Sequence, residues 1–140
     1  MQNTNEQNLS IEKPIEITRA VQLLYATLGI GAVKSSIDFF RISSETSVAF
    51  TLITLILTFA FIFFLIIKIA DGRNWARIVL LIFFLLGIPL AIPIVLDEVK
   101  KNLFLGSLSL IQIVLQIIAL VLMFMKNSNL WFRTRKNHLP

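Results

Sequence analysis

Three long runs without a charged residue dominate the sequence, and each run is bounded by charged residues on both sides. The runs cover residues 46–67, 78–96 and 102–125 and are 22, 19 and 24 residues long. A helix needs about 20 apolar residues to cross a hydrocarbon core about 30 Å thick. The three runs therefore predict three transmembrane helices.

A shorter apolar block precedes these runs. Only the 14 residues between Arg19 and Lys34 are uncharged, and a run of that length fits a core or interfacial segment. Both flanking side chains are long cations that can extend to the lipid headgroups, so residues 17–37 also predict a span. The alternative is an amphipathic helix lying on the membrane surface, which requires a more highly charged polar face than this block has.

The composition supports placement in a membrane, since 56% of the 140 residues are hydrophobic and 15% are charged. A soluble chain is about 45–50% apolar, and a small domain cannot bury a larger share. The short charged connections at residues 68–77 and 97–101 make neighbouring helices antiparallel. We therefore predict an all-α integral membrane protein with an antiparallel four-helix bundle over residues 17–126. The predicted segments are a polar tail at 1–16, spans near 17–37, 46–67, 76–96 and 102–125, and a basic tail at 127–140.

The distribution of basic residues predicts the orientation. Nine of the 13 lysines and arginines fall on the side of both termini and four on the other side. Cytoplasmic loops of membrane proteins carry the excess of such residues. The pattern predicts a multi-pass protein of the bacterial inner membrane with both termini in the cytoplasm. Four residues on that side are predicted as anchors at the membrane interface: Trp75, Trp131, Arg73 and Arg77.

Several kinds of chemistry lack the residues that they need. The chain has no cysteine, which excludes disulfides and thiolate metal sites, and its one histidine is His138 in the C-terminal tail. A nucleophile in a span would need a base within reach, and no intramembrane His, Lys, Asp or Glu offers itself in that role, since Lys34 is expected near the end of its span. We therefore expect no enzyme activity and no catalytic, cofactor-binding or metal-binding residue. The net charge of +5 does not indicate nucleic acid as a partner, because the basic residues occur in short clusters and not in a stripe.

Two of the spans carry polar residues at helical spacing, which places each set on one face. The candidate polar interior face consists of Thr51, Thr54, Thr58, Ser109, Gln112 and Gln116. Lipid cannot hydrogen-bond an amide, so the glutamines should face the bundle interior. One interpretation is a polar path or pocket for a solute. The other is hydrogen bonding between helices, which contributes about 0.6 kcal/mol per contact, and threonine can also bond its own helix backbone.

The third span contains Gly87, Pro89 and Pro93, which predict a kink because each proline removes a backbone donor and crowds the preceding turn. A broken helix can also coordinate ions in transporters, but this span offers no strongly polar partner for that role. Lys34 is the charge closest to the interior of a span. We expect a structural pair between Lys34 and Asp38, four residues later, and the alternative is a functional intramembrane charge.

Small residues and the C-terminal segment leave further alternatives open. The pairs Gly31 with Ser35 and Ala32 with Ser36 have the spacing of close helix contacts, and they fit packing within the chain or dimerisation. Trp131, Phe132 and the basic residues that follow fit an anchor on anionic headgroups. The same segment also fits a tail that binds a partner.

Three short motifs resemble those of a loose group of small bacterial four-span inner-membrane proteins of uncharacterised activity. The first is Arg19-Ala20-Val21 opening a Leu-Leu-Tyr helix. The second is the turn from Gly72 to Arg77, Gly-Arg-Asn-Trp-Ala-Arg. The third is Trp131-Phe132-Arg133. The resemblance covers most of the span-bearing chain. It implies a four-helix membrane bundle and no particular activity.

From the sequence we expect a non-catalytic protein whose environment is the lipid bilayer. Its expected role is as an accessory, assembly or regulatory partner of another membrane protein, or of a second copy of itself. This expectation depends on the scarcity of charge within the spans. The alternative is a subunit of an oligomeric small transporter or pore that uses the threonine and glutamine faces.

Overall fold

The computed structural model describes residues 12–39 and 47–136, and all regular secondary structure within them is α-helical. The five helices are α1 (Ile15–Phe39), α2 (Val48–Ala70), α3 (Asn74–Lys101), α4 (Leu103–Phe124) and α5 (Lys126–Lys136). The first four are long and apolar enough to cross a membrane. The block 17–37, the weakest of the four sequence predictions, is therefore part of a helix of sufficient length.

The helix bounds differ from the predicted spans at two places. Helix α3 continues past residue 96 to Lys101, so it includes charged residues that the sequence analysis had assigned to a loop. The predicted C-terminal tail is helical as far as Lys136. Most of the predicted tail 1–16, Arg41 and residues 137–140 lie outside the described residues.

The turn between α2 and α3 is closed by Gly72. The backbone N–H of Arg73 donates to the carbonyl of Lys68 at 2.9 Å, and that of Gly72 donates to Ile69 at 3.0 Å. This is the hydrogen-bond pattern of a Schellman cap. Gly72 has a φ of 82°, which a residue without a Cβ adopts at little cost, so the predicted Asp71-Gly72 turn has its expected chemistry. We call this end of the helices the Gly72 end.

At the opposite end, Asn102 alone separates α3 from α4. Its side-chain oxygen accepts hydrogen bonds from the backbone N–H groups of Phe104 at 3.0 Å and Leu105 at 3.3 Å. An asparagine at this position satisfies donors that a helix N-terminus leaves without partners. We call this end of the helices the Asn102 end.

The largest cluster of buried side chains lies at the Gly72 end. It combines the first part of α1, the last part of α2, the first part of α3, the last part of α4 and α5. Its fully buried members include Phe132, Ile17, Leu24, Leu65, Ile66, Ile69 and Met123. Four long helices and α5 are therefore packed together at this end.

Packing along the rest of the long helices is uneven. Helix α4 contacts α1 and α3, and α2 contacts the same two helices. All three buried residues of α2 lie near its C-terminus, so its N-terminal part is packed loosely. At the Asn102 end, α3 and α4 approach so closely that a Cβ on Gly106 would lie 2.6 Å from Cα of Val99. Two packed regions therefore enclose a less filled middle section.

Candidate functional site

Most of the predicted polar face lines one cavity of about 450 Å³ between α1, α2 and α4. Helix α2 contributes three threonines and α4 contributes two glutamines, while α1 adds small and hydroxyl-bearing residues. The polar lining residues are Thr27, Ser35, Thr51, Thr54, Thr58, Gln112 and Gln116. Five of the six predicted residues thus come together at one place, and we call this space the polar cavity.

The three threonines of α2 hydrogen-bond within their own helix. The hydroxyl of Thr58 donates to the carbonyl of Thr54 at 2.8 Å, and that of Thr54 donates to Phe50 at 2.9 Å. Thr51 donates to the carbonyl of Ser47 at 3.3 Å. Each oxygen keeps acceptor capacity toward the cavity. Within the described residues, these side chains do not hydrogen-bond to another helix, so they do not act as hydrogen-bonding contacts between helices.

Gln112 and Gln116 lie one turn apart on α4 and are both partly buried. Within the described residues, neither side-chain amide has a hydrogen-bond partner, although each offers two donors and an acceptor. The Nε2 atom of Gln112 lies close to α1, where a Cβ added to Gly31 would be only 3.3 Å away. Both amides border the cavity and keep some exposure, so each is available to hydrogen-bond a molecule that enters it.

Ser109, the sixth predicted residue, belongs to a different group. Its hydroxyl contacts both the ammonium of Lys34 and the carboxylate of Glu98. The Lys34 Nζ atom lies 3.0 Å from Oε1 and 2.9 Å from Oε2 of Glu98. The side chains of Lys34 and Glu98 are 15% and 21% exposed. We call these three residues the ionic cluster, and it joins α1, α3 and α4 at the Asn102 end.

The ionic cluster corrects the predicted pairing of Lys34 with Asp38. Sequence reasoning missed Glu98 because the third span was predicted to end at residue 96 and Glu98 was placed in a loop. The helix continues, and Glu98 lies three residues after the buried Val95 on the same side of α3. That spacing was the available signal, because a residue three positions after an inward-facing one lies on the same face if the helix continues.

The predicted kink residues lie within an unbroken helix. Pro89 and Pro93 are both inside α3, which runs without interruption from Asn74 to Lys101. Gly87 lines a second cavity, and a Cβ added there would meet no atom within 4 Å. Gly87 therefore leaves space beside the helix.

The second cavity has a volume of about 600 Å³ and lies between α2, α3 and α4, with Leu24 contributed by α1. Its wall is almost entirely apolar, with three phenylalanines, Phe61, Phe83 and Phe84. Three residues, Thr58, Ile62 and Gln116, line both this apolar cavity and the polar cavity. The two cavities are therefore adjacent, and these three residues line both of them.

The four predicted interface anchors occupy two kinds of environment. Trp75 and Arg73 are exposed, Trp75 at 45%. The structure differs for Trp131 and Arg77, whose side chains are 3% and 8% exposed. Both are buried because α5 packs against the Gly72 end and does not extend away from it.

Arg77 links three helices at that end. Its guanidinium donates to the carbonyl of Met123 at 2.9 Å and to Oδ1 of Asn74 at 2.6 Å. The Cζ atom lies 4.4 Å from the ring centroid of Phe132 and 4.9 Å from that of Phe124. A carbonyl at the end of α4 and two aromatic faces compensate for the burial of this cation. The contacts made by Arg77 are therefore structural ones.

Within the residues that the structure describes, no group of three or more His, Cys, Asp or Glu side chains could hold a metal ion. Comparison of the chain with models of protein families, with curated proteins and with solved structures gives no match. The functional proposal therefore depends on the cavities and on the ionic cluster.

Proposed function

We propose that the chain is an integral membrane protein built as an antiparallel four-helix bundle, with both termini on the cytoplasmic side of a bacterial inner membrane. Four helices of sufficient length and apolarity support the placement in a membrane. The excess of basic residues on the side of the termini supports the orientation. The short connections at the Gly72 end and the Asn102 end support antiparallel neighbours.

We propose that this protein is a non-catalytic, ligand-binding one, and that the polar cavity holds a small uncharged molecule. The observation that carries the proposal is that Gln112 and Gln116 face the same cavity as three threonines, with no hydrogen-bond partner for either amide within the described residues. This favours the alternative of a small transporter subunit over the purely accessory role, because the polar residues converge on a space and not on another helix.

Single cysteines test this proposal cleanly, since the chain has no native cysteine. Thr54→Cys places a thiol in the polar cavity. The matched control is Ile56→Cys on the same helix, at a position that is exposed as Thr54 is but lines neither cavity and would face lipid. In membrane vesicles we expect N-ethylmaleimide, which is small and uncharged, to alkylate Thr54→Cys several times faster than Ile56→Cys. The physical reason is that the reactive thiolate forms only where water and polar groups can stabilise it.

Equal, slow labelling at both positions would show that the cavity is closed to small polar molecules and would contradict the proposal. Equal, fast labelling would show that α2 is surrounded by water and would contradict the membrane placement.

An accessory role through association remains the second candidate, and α1 supplies the observation that favours it. Of the two pairs of small residues, Gly31 and Ser35 line the polar cavity, whereas Ala32 and Ser36 are exposed. A small exposed face allows another helix to approach closely in a membrane. Ala32→Cys cross-linking in native membranes tests this candidate. A product larger than the monomer supports association, and a monomer band alone counts against it.

A further inference from the structure

The two cavities lie next to each other, and the polar cavity differs from the second in the amides and hydroxyls that it adds to an otherwise apolar lining. The polar cavity carries five of the six predicted polar residues, while the apolar cavity is lined by aliphatic and aromatic side chains together with Thr58 and Gln116. The residues common to both are Thr58, Ile62 and Gln116. A single molecule that occupies both cavities must therefore have a polar part and an apolar part.

The polar part has to be uncharged. The lining of the polar cavity combines amides and hydroxyls with apolar side chains such as Phe50 and Phe59, and it contains no charged side chain. A charge placed in such a site without a partner loses its hydration and gains no ion pair. Lys34 cannot readily serve as that partner, because its ammonium is already held by both carboxylate oxygens of Glu98.

The polar part also has to donate and accept hydrogen bonds. Gln112 and Gln116 each offer an N–H pair and a carbonyl oxygen, and the threonine oxygens of α2 offer acceptor sites. Hydroxyl and carbonyl groups on one head satisfy both kinds of demand. An ionised phosphate offers acceptors but few donors, and it adds a charge.

The apolar part fits the second cavity. Phe61, Phe83 and Phe84 supply an aromatic wall, and the missing side chain at Gly87 leaves room beside α3. The volumes of about 450 and 600 Å³ both fall within the range usual for small-molecule sites, about 300–1,000 Å³.

We propose that the ligand is an uncharged amphiphile, with a hydroxyl- or carbonyl-bearing head against Gln112 and Gln116 and an apolar tail along Phe61, Phe83 and Gly87. This inference depends on the proposed ligand-binding function, which it deepens by naming the class of ligand. Thr58 and Gln116, which line both cavities, mark the place where head and tail meet.

The test uses three probes with the same tail, and native mass spectrometry of the full chain in detergent micelles counts the bound molecules. The probes are monooleoylglycerol with an uncharged head, oleate with an anionic head and oleylamine with a cationic head. We expect monooleoylglycerol to bind about tenfold more tightly than either charged probe, because only its head enters the polar cavity without losing a charge's hydration. Phosphatidylglycerol is a fourth probe, and its preferential binding would identify a bulk membrane lipid and overturn the uncharged-head proposal.

Substitutions at the head site separate specific from general binding. Gln112→Leu and Gln116→Leu should each weaken monooleoylglycerol binding by about three- to tenfold, as expected for one lost neutral hydrogen bond. Gln22→Leu is the matched control, since Gln22 is exposed on α1 and lines neither cavity. Equal binding in all three variants would overturn the proposed head site.

The site proposed for the apolar tail is tested by substituting two glycines, each of which has open space beside it. Gly87→Leu fills the apolar cavity, and Gly29→Leu adds the same side chain where no cavity lies; a Cβ at either glycine meets no atom within 4 Å. We expect only Gly87→Leu to reduce binding of monooleoylglycerol, by about tenfold or more. If head-site variants lose binding while Gly87→Leu does not, the amphiphile proposal fails and the ligand-binding function stands. If no probe binds the native chain and Thr54→Cys is closed to N-ethylmaleimide, both the amphiphile proposal and the ligand-binding function fail.

Discussion

At the scale of single residues, the ammonium of Lys34 lies 2.9 Å from Oε2 of Glu98, although 64 positions separate the two in sequence. The predicted pair with Asp38 considered only neighbours on one helix. The observed pair is largely buried, whereas the i,i+4 pair of Lys101 and Asp97 is 76% and 58% exposed. Burial makes an ion pair costly to break, because the remaining partner keeps its charge without compensation.

Breaking the ionic cluster should therefore destabilise the protein more than breaking the exposed pair. We expect Lys34→Met or Glu98→Gln to lower the free energy of unfolding by about 1–3 kcal/mol, less than for a fully buried pair since both side chains keep some exposure. The double variant should recover part of the loss because it leaves no unpaired charge. Unfolding by sodium dodecyl sulfate, followed by circular dichroism, measures these values.

The control is Lys101→Met, for which a change within about 0.5 kcal/mol is expected. Losses of the same size for Lys34→Met and Lys101→Met would mean that the ionic cluster adds no more stability than a surface pair.

At the scale of helices, a glycine on α3 and a glycine on the adjacent α4 have opposite effects on packing. Gly106 allows α4 to approach the backbone of α3 at Val99, while Gly87 on α3 borders empty space. A backbone neighbour cannot move aside as the end of a flexible side chain can. The same residue type thus fixes a helix contact at one site and leaves a cavity at the other.

Replacing each of these glycines by alanine should have effects of opposite sign. Gly106→Ala places a Cβ within 2.6 Å of Cα of Val99, so α3 and α4 must separate, and overpacking of this kind costs about 1–3 kcal/mol. Gly87→Ala meets no atom and gains helix propensity of up to about 1 kcal/mol. Thermal unfolding of the purified protein should show a lower midpoint for Gly106→Ala alone. A midpoint unchanged in Gly106→Ala would contradict the close approach of the two helices.

At the scale of the whole molecule, two packed regions lie on either side of the cavities. The apolar cluster at the Gly72 end includes Trp131 and Phe132 from α5, and the ionic cluster joins three helices at the Asn102 end. The N-terminal part of α2, which contains no buried residue, lines the polar cavity, and the middle of α2 lines the second cavity. This division gives the molecule a firmly packed frame and a looser middle section suited to holding a ligand.

The orientation of the molecule in the membrane can be tested with fusions at its C-terminus. We expect a C-terminal green fluorescent protein to be fluorescent and a C-terminal alkaline phosphatase to be inactive, because basic residues hold both termini in the cytoplasm. Measuring both reporters in intact bacteria supplies the internal control. An active phosphatase together with a dark fluorescent protein would contradict the cytoplasmic C-terminus and hence the proposed orientation.

Much of the helical architecture could be predicted from the sequence. The uncharged runs 46–67, 78–96 and 102–125 lie almost wholly within α2, α3 and α4, and the Asp71-Gly72 turn is where it was expected. The ends of helices were less predictable, because a charged residue such as Glu98 can lie inside a helix when another side chain, here that of Lys34, forms an ion pair with it.

The candidate site was predictable in part. Spacing along α2 and α4 placed Thr51, Thr54 and Thr58 on one face and Gln112 and Gln116 on another, since helical periodicity is a local property. Ser109 was grouped with the glutamines for the same reason, yet it contacts Lys34 and Glu98. Periodicity identifies a face of a helix, but it does not identify what that face meets.

By itself, the sequence determined four apolar helices, one tight turn and two polar faces, because each depends on the length of a run or on spacing within a few turns. Only the tertiary structure decided that the two faces share a cavity, that Lys34 pairs with Glu98, and that Trp131 and Arg77 are buried where α5 packs against the Gly72 end. Those outcomes depend on how helices distant in sequence approach one another. Close contacts such as that of Gly106 with Val99 determine how the helices approach. A hydropathy pattern carries no information about such contacts.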